Sequence, residues 1–489
     1  MTIKNLINTV AQNHPEADLI MIQLAYDYAA KAHAGQKRAT GDDYIQHSLA
    51  TAQTLADMKL PPALVIAGLL HDVPEDTAYT LEDIGKNFGS DIESIVRGIT
   101  KLSNIKYRGL DRYVENLRKM FVAMAEDIRV ILVKFADRLH NLSTLYALPA
   151  NKQRRIALET LEIYAPIANR LGIGELQGQL EDASFRYAYP EEFHWVDEVM
   201  RLRTPAKQKT LNLMIKKLTQ QLEAEHIPYR EIYGRKKHHY SLYRKLLRFD
   251  RDINRIYDIV AIRIIVDNVS ECYAAMGIIH SLWKPMKGRI KDYIAQPKPN
   301  GYRSLHTTVF GENQEIVEFQ IRSIEMHEQS EYGIAAHWNY KELLKSNNDV
   351  FKKDLSWVAE LARWLKEVKD NEVFLEGAKI DVFQNRIFVF TPQGDVIDLP
   401  DGATPIDFAY HIHTDLGNLC QRAMVNNILV TLDHKLKNGD VVNIITDKNR
   451  KGPNPEWLKF VKTRVARTRI LSYKNQNWQS ILSKFANKK

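Results

Sequence analysis

Two hydrophobic periods divide this chain. Through about residue 190, apolar positions recur every three or four residues, the spacing that turns one face of a helix inward. The stretch PPALVIAGLLHD opens on Pro61 and Pro62, continues as apolar helix formers, and stops at a cluster of charge. DIRVILVKFADRLHNLSTL predicts a second buried helix, with Val130, Val133, Leu139 and Leu142 among its apolar positions. Three further helical patterns fill the region without strand-like alternation, and residues 160–182 read as a helical connector. Its Gly172, Gly174 and Gly178 miss the G-x-G-x-x-G spacing by one residue and follow no strand, which argues against a dinucleotide loop.

From about residue 230 the period becomes two. RIYDIVAIRIIVD is a β-branched run of strand length. VEFQIRS alternates, with Val317, Phe319 and Ile321 facing one way and Glu318, Gln320 and Arg322 the other. A loop broken by Pro297, Pro299 and Gly301 lies between them and feeds another strand, so this region reads as an α/β or α+β domain. After a charged helical pattern at 346–380, containing Trp357 and Trp364, a compact β-rich unit follows. In it RIFVFTPQGDVIDLP predicts strand, turn and strand, TPIDFAYHIH a short helix, and MVNNILV and LKNGDVVNIIT further strands.

Composition adds limits rather than chemistry. A chain of 489 residues is too long for one ordinary domain, and about three are expected. No stretch approaches the roughly 20 apolar residues of a membrane span, and the start lacks the apolar core of a secretory signal. Only Cys272 and Cys420 occur, which excludes a disulfide framework and a multi-cysteine zinc site; a cytoplasmic protein is expected. The net charge of +8 suits polyanionic partners such as nucleotides, RNA or ribosomes, or simply a solvated surface.

The charged cluster carries the chemistry. LLHDVPEDT sets Asp72, Glu75 and Asp76 beside His71, where like charges repel unless a cation neutralises them or the helix end faces water. HAGQKRATGDDYIQH supplies His33, Arg38 and His47, and FADRLHN supplies Asp137 with Asn141 one turn later on the same face. His47, His71, Asp72 and Asp137 would form a nitrogen and oxygen site for Mn²⁺, Fe²⁺ or Zn²⁺, with Glu75 and Asp76 placed to orient or deprotonate a water. His33 alone is better explained by packing or capping.

A second constellation lies in the strand region. No P-loop motif occurs, but YGRKKHHYSLYRKL stacks Arg235, Lys236, Lys237, Arg244 and Lys245. As a helix surface such a run is often merely solvated. Asp258 and Glu318 could lie on neighbouring strands and hold Mg²⁺ against phosphates. Tyr302 could stack on a base, while Lys291, Lys298 and Arg322 pair with phosphates, which together suggest phosphate transfer.

The long motifs HAGQKRATGDDYIQH, GLLHDVPEDT, VKFADRLHNLSTL, GRKKHHYSLYRKL, RIKDYIAQPKPNGYRSLHTT and VEFQIRSIEMHEQSEYGIAAHWNYK together resemble the RelA/SpoT homologue family, the synthetases and hydrolases of the alarmone (p)ppGpp. The resemblance implies a multidomain α+β protein. An all-helical HD-type hydrolase with its connector would span 1–195, and an α/β nucleotidyltransferase-like synthetase 196–345. A helical linker at 346–380, a β-grasp TGS domain at 381–447 and the start of a helical regulatory segment at 448–489 would follow.

By the same resemblance, His47, His71, Asp72 and Asp137 bind Mn²⁺, Glu75 and Asp76 assist the attacking water, and Arg38 and Asn141 line a ppGpp pocket. In the synthetase it puts Mg²⁺ on Asp258, activation of the GDP or GTP 3′-hydroxyl on Glu318, ATP at Arg235, and guanine at Tyr302. Lys237, His306 and Lys298 are further candidates. The Arg-Ile-Lys-Asp stretch at 289–292 resembles bifunctional members rather than synthetase-only ones. Pro74, Lys236 and His239 depart from the family pattern, and Pro74 bears directly on hydrolase geometry. The ribosome and uncharged tRNA are implied partners of the TGS domain, with His413 either a tRNA contact or a packing residue. The helical, cysteine-rich and ACT modules usual after that domain are absent from these 489 residues, and if the protein lacks them, weak ribosome stimulation of synthesis is expected. The two activities are expected to exclude one another through residues 150–200.

Overall fold

The computed structural model describes residues 1–103, 109–256, 258–298, 300–312, 315–334, 336, 386–393, 396–437, 439–447, 449–450 and 452–473. Among these residues no helix is long and apolar enough to cross a membrane. The chain forms two compact units, Met1–Glu367 and Val368–Lys489. The expected linker helix at 346–380, with Trp357 and Trp364, lies outside the described residues.

The first unit begins with helices α1 (Ile3–Asn13), α2 (Leu19–Ala32), α3 (Ile45–Asp57), α4 (Pro62–Leu70), α5 (Val73–Asp76), α6 (Leu81–Phe88), α7 (Ser90–Ser103), α8 (Gly109–Glu126) and α9 (Arg129–Ser143). All the residues of α4 from Leu64 to Leu70 are buried, as a helix apolar on every side must be. It packs on α3 through Gly68, where a Cβ would approach Leu55 Cδ1 to 2.6 Å. The missing side chain lets α3 lie close enough for its polar residues to meet the C-terminal end of α4.

Pro74 does not disturb this end. The helix stops at Leu70, His71 and Asp72 form the turn, and Pro74 occupies the first turn of α5, where its missing N–H leaves no hydrogen bond unmade. The connector continues as α10 (Ala150–Glu159), a π-helical turn (Thr160–Tyr164), α11 (Ala165–Arg170) and α12 (Gly174–Ala188). Then α13 (Pro190–Ala224) runs 35 residues without interruption, so residue 195 falls inside a helix.

The same unit holds a five-stranded sheet. Its strands are β1 (Glu231–Lys236), β2 (Val260–Val266), β3 (Lys291–Asp292), β4 (Leu305–Phe310) and β5 (Ile316–Ser323), in the order β1-β2-β5-β4-β3. Among these described strands, β2 and β5 pair in parallel and the other neighbours antiparallel. Helices α14 (His239–Arg248), α15 (Val269–Leu282) and α16 (Ile324–Tyr332) complete the unit. One sheet face is apolar: Ile262, Ile264, Val317, Phe319 and Ile321 pack with Met214 and Leu218 of α13 and Ala275 and Ile279 of α15. Strand alternation then forces Arg263, Glu318, Gln320 and Arg322 onto the opposite face.

The connector glycines have a packing role. Gly172 has φ +77°, and a Cβ there would come within 2.9 Å of Asn300 O; at Gly174 it would come within 2.6 Å of Ser330 O. They let α11 and α12 lie directly against the backbone of α16 and the loop before β4.

The second unit contains β6 (Arg386–Phe390), β7 (Val396–Pro400), α17 (Pro405–Ile412), α18 (Thr414–Asn418), β8 (Cys420–Val425), β9 (Ile428–Val430) and β10 (Val442–Thr446). The tight β8–β9 turn places Asn426 and Asn427 at φ 51° and 64°, the left-handed geometry that a two-residue hairpin requires. Residues beyond 447 join this unit's core, since Trp457, Val461, Ala466 and Ile470 pack with Ile406, Tyr410 and Cys420.

Candidate functional site

Three parts of the helical region converge at the charged cluster. α3 contributes His47, the α4–α5 turn His71 and Asp72, and α9 Asp137 and Asn141. His47 Nε2 lies 3.3 Å from both Asp72 Oδ2 and Asp137 Oδ1, and His71 Nε2 lies 3.2 Å from Asp72 Oδ1. Single ligand atoms of His47, His71 and Asp137 all fall within 4.8 Å of one another. His71 Nδ1 donates to Gly68 O at 2.9 Å, which turns its Nε2 toward the carboxylates. His47 Nδ1 is likewise engaged, 2.7 Å from His140 Nδ1. Two buried imidazoles and two carboxylates form a hard nitrogen and oxygen donor set that fits a divalent cation.

Charge is balanced tightly here. Burial opposes ionisation of Asp72, but His71 and His47 hold it well below the usual carboxylate range. Burial also opposes ionisation of Asp137, and Lys134, at 2.9 Å, leads the groups that keep it charged. Against the effect of burial, Asp72 and Asp137 raise His71 to about 9. Burial, then His47 and Arg38, lower His140 to about 4, so His140 is neutral near pH 7.

The surrounding residues meet the same cluster. Asn141 Nδ2 donates to Asp137 Oδ1 at 2.5 Å, and Arg38 donates to Asn141 Oδ1 at 2.6 Å. Tyr44 was missed by sequence reasoning. Its hydroxyl lies 2.9 Å from Asp72 Oδ2 and 2.6 Å from Asp76 Oδ2, tying the ligand turn to α5. Its place inside the HAGQKRATGDDYIQH motif was the available signal. His33 is a packing residue, stacked on Tyr44 with ring centroids 4.5 Å apart.

The second constellation occupies the polar face of the sheet, where register sorts the residues into two rows. Arg235, Ala261, Glu318 and Thr308 are mutually opposite, and so are Tyr233, Arg263, Gln320, His306 and Lys291. The stretch read as a helix surface is instead divided. Arg235 and Lys236 end β1, Lys237 follows, and Arg244 and Lys245 lie on α14, because the glycine-interrupted YGRK segment pairs with β2 before the helical period begins.

Asp258 precedes β2 by two residues rather than lying within a strand. Its oxygens are bound by Lys237 at 2.6 Å and Lys245 at 2.7 Å, and these lysines hold it below the usual carboxylate range despite burial. Glu318 Oε1 accepts from Gln320 at 3.0 Å and lies 3.3 Å from His306 Nδ1; against burial, His306 lowers its pKa.

Tyr302 is enclosed by cations. Its hydroxyl lies 2.7 Å from His306 Nε2 and accepts from Arg322 at 2.7 Å, while Lys298 Nζ sits 4.5 Å from the ring centroid. Burial raises a phenol, but Arg322, His306 and Lys298 prevail and bring Tyr302 down to about 6. Arg322 is on the polar face as expected but only 1% exposed, because α16 covers it and Glu331 pairs with it at 3.2 Å. Burial and neighbouring Arg263 lower the pKa of Arg235, a crowding of positive charge that an anionic ligand would relieve. Lys291 is exposed at the sheet edge. Arg263 and Glu331 lie outside the basic run at 235–245, and no local spacing marks either of them.

In the second unit, His413 caps α18 by accepting from Asp415 N at 3.2 Å, with its side chain 69% exposed. It does not pack in the helix core.

A helical region with a clustered His/Asp ligand set, a mixed sheet with one charged face and a small β-rich unit define a multidomain protein built around an HD domain. Family models match an HD domain at residues 25–174, the region found in RelA / SpoT proteins at 234–345, and a TGS domain at 387–446. The chain is 47% identical over 479 residues to a GTP pyrophosphokinase of Myxococcus xanthus, covering 96% of this chain and 62% of that protein. It is 45% identical over 464 residues to a guanosine-3′,5′-bis(diphosphate) 3′-pyrophosphohydrolase of Aquifex aeolicus, covering 94% and 66%. A bifunctional (p)ppGpp synthase/hydrolase RelA of Mycobacterium tuberculosis is 44% identical over 476 residues, covering 96% and 64%. The chain thus spans less than two thirds of the length of these relatives. It carries the region found in RelA / SpoT proteins between an HD domain and a TGS domain. An HD domain of this kind implies a divalent metal, and the clustered ligand atoms offer it a seat.

Proposed function

We propose that this chain is a two-way alarmone enzyme. One site transfers pyrophosphate from ATP to the 3′-hydroxyl of GDP or GTP, giving (p)ppGpp and AMP. The other hydrolyses ppGpp to GDP and pyrophosphate. The observation that carries the reading is the convergence of His47, His71, Asp72 and Asp137, with both imidazole Nε2 atoms within 3.3 Å of a carboxylate. The names of the relatives support both directions. We assign the hydrolase with its connector to 1–195, the synthetase to 196–345, a linker to 346–380, the TGS domain to 381–447 and a following segment to 448–489, with α13 carrying the chain across residue 195.

In the hydrolase, the four ligands hold a divalent cation, Mn²⁺. When bound, the cation lowers the pKa of a water and polarises a phosphoryl oxygen. Tyr44 fixes Asp76 relative to Asp72, Glu75 and Asp76 orient the attacking water and take its proton, and Arg38 with Asn141 lines the nucleotide. In the synthetase, Asp258 holds Mg²⁺. Glu318 takes the proton of the ribose 3′-hydroxyl, whose oxygen attacks the β-phosphorus of ATP as the bond to the AMP oxygen breaks. Arg235, Lys237, Lys291 and Lys298 neutralise phosphate charge, buried Arg322 holds Tyr302 rather than a phosphate, and Tyr302 and His306 contact the guanine nucleotide. The TGS unit contacts uncharged tRNA and the ribosome, with exposed His413 as one contact.

The first experiment incubates ppGpp with Mn²⁺ and either wild type or Asp72→Asn. Pyrophosphate release by wild type alone supports the hydrolase; release by neither removes it. One observation favours a second reading, a hydrolase-dominant protein: both oxygens of Asp258 are held by lysines, which a metal must displace. Wild type that hydrolyses ppGpp yet makes none from ATP and GDP would select that reading.

A further inference from the structure

One carboxylate on the charged sheet face has no part in the chemistry proposed above. Glu331, in the last turn of α16, accepts at Oε1 from Arg263 Nη1 at 2.6 Å and lies 3.2 Å from Arg322 Nη1. These guanidiniums, on neighbouring strands, are only 3% and 1% exposed. Two buried cations side by side require an anion, and Glu331 supplies it. His327 Nδ1 lies 3.8 Å from the same oxygen, and Arg235 adds to the positive field around it.

The pairing continues across the sheet face. Arg322 uses one arm of its fork for Glu331 and the other, Nη2, for the Tyr302 hydroxyl at 2.7 Å. Tyr302 reaches His306 Nε2 at 2.7 Å, and His306 Nδ1 lies 3.3 Å from Glu318 Oε1. A chain of polar contacts therefore runs from Glu331 to Glu318. Its Glu331 end is carried by α16: Ser323, the last residue of β5, caps the start of that helix, and just past its end Ile334 N donates to Leu171 O of the connector at 3.0 Å. A helix held at both ends keeps its carboxylate in one place.

We propose that Glu331 is a positioning residue for pyrophosphate transfer, fixing Arg322 so that Tyr302 and His306 are presented to the guanine nucleotide. This rests on the synthetase reading above. The test measures synthesis from ATP and GDP, and GDP binding by calorimetry, for the full chain as wild type, Glu331→Gln and Glu331→Asp. Glu331→Gln should raise KM and Kd for GDP by about tenfold or more, the loss expected for a charge-assisted hydrogen bond, and leave KM for ATP within about twofold. Glu331→Asp should recover part of the affinity.

A merely structural role would reduce the active fraction, and so kcat, with KM for GDP unchanged; that result overturns the proposal, as does no change in either. If Glu331→Gln fails to fold, the paired variant Glu331→Gln with Arg263→Met removes one buried charge of each sign and still frees Arg322. It should show the same rise, and a normal Kd for GDP would overturn the proposal. Wild type that binds GDP but makes no product refutes the transfer reading alone, because binding still tests Glu331. Wild type that does neither overturns both.

Discussion

His71 allows the metal site to be read by titration. Against burial, Asp72 at 3.2 Å and then Asp137 raise its pKa from 6.5 to about 9. A folded-state pKa above the unfolded value stabilises the fold. The contribution, about 3 kcal/mol, is fully present below pH 6.5 and is lost as pH rises through 9. The metal-free protein should therefore lose stability between those limits. A metal competes with the proton for His71 Nε2, because Nδ1 is donated to Gly68 O. At about pH 7.5 the proton must leave first, which weakens apparent Mn²⁺ affinity about thirtyfold relative to its plateau above pH 9. Calorimetric titrations from about pH 6.5 to about 9.5 should show affinity rising by up to about tenfold per pH unit until that plateau. Asp72→Asn removes the largest attraction on the proton, so the plateau should begin nearer neutral pH while its height falls with the lost ligand charge. NMR of the His71 imidazole reads the same pKa directly. Mn²⁺ affinity that stays flat across this range, or a pH profile unchanged by Asp72→Asn, would refute the reasoning.

Three further predictions concern other parts of the chain. Asp258→Asn, which removes the anion shared by Lys237 and Lys245, should lower synthesis by about a hundredfold or more and leave hydrolysis intact; equal loss of both would show a folding defect instead. Gly172→Ala combines a φ of +77° with a Cβ 2.9 Å from Asn300 O, whereas Gly35→Ala, at φ +81°, meets nothing within 4 Å. Gly35→Ala should cost about 1 kcal/mol and Gly172→Ala more, so equal shifts in Tm would mean that the close approach is unimportant. Asp407 is fully buried and accepts from Thr404 N and Oγ1, Lys462 N and Thr463 N, so Asp407→Ala should cost about 2–4 kcal/mol in the second unit. A melting profile like wild type would contradict that.

The amino-acid sequence by itself determined whatever is fixed within one turn or one strand. The period of PALVIAGLL makes α4, the alternation of VEFQIRS sorts β5 into two faces, adjacency couples His71 to Asp72, and a four-residue step places Asn141 on Asp137. Local spacing sets these because the backbone allows only a few repeating geometries. Tertiary structure decided the rest. Tyr44 joins Asp72 to Asp76, His140 meets His47 across 93 residues, and Glu331 sits between arginines of two strands. No spacing rule connects those residues. Their distances depend on how closely α3 approaches α4 over Gly68, on the parallel register that sets Arg263 beside Gln320, and on α16 closing over Arg322. Such contacts are specified by packing many side chains at once, and a one-dimensional pattern does not carry that information.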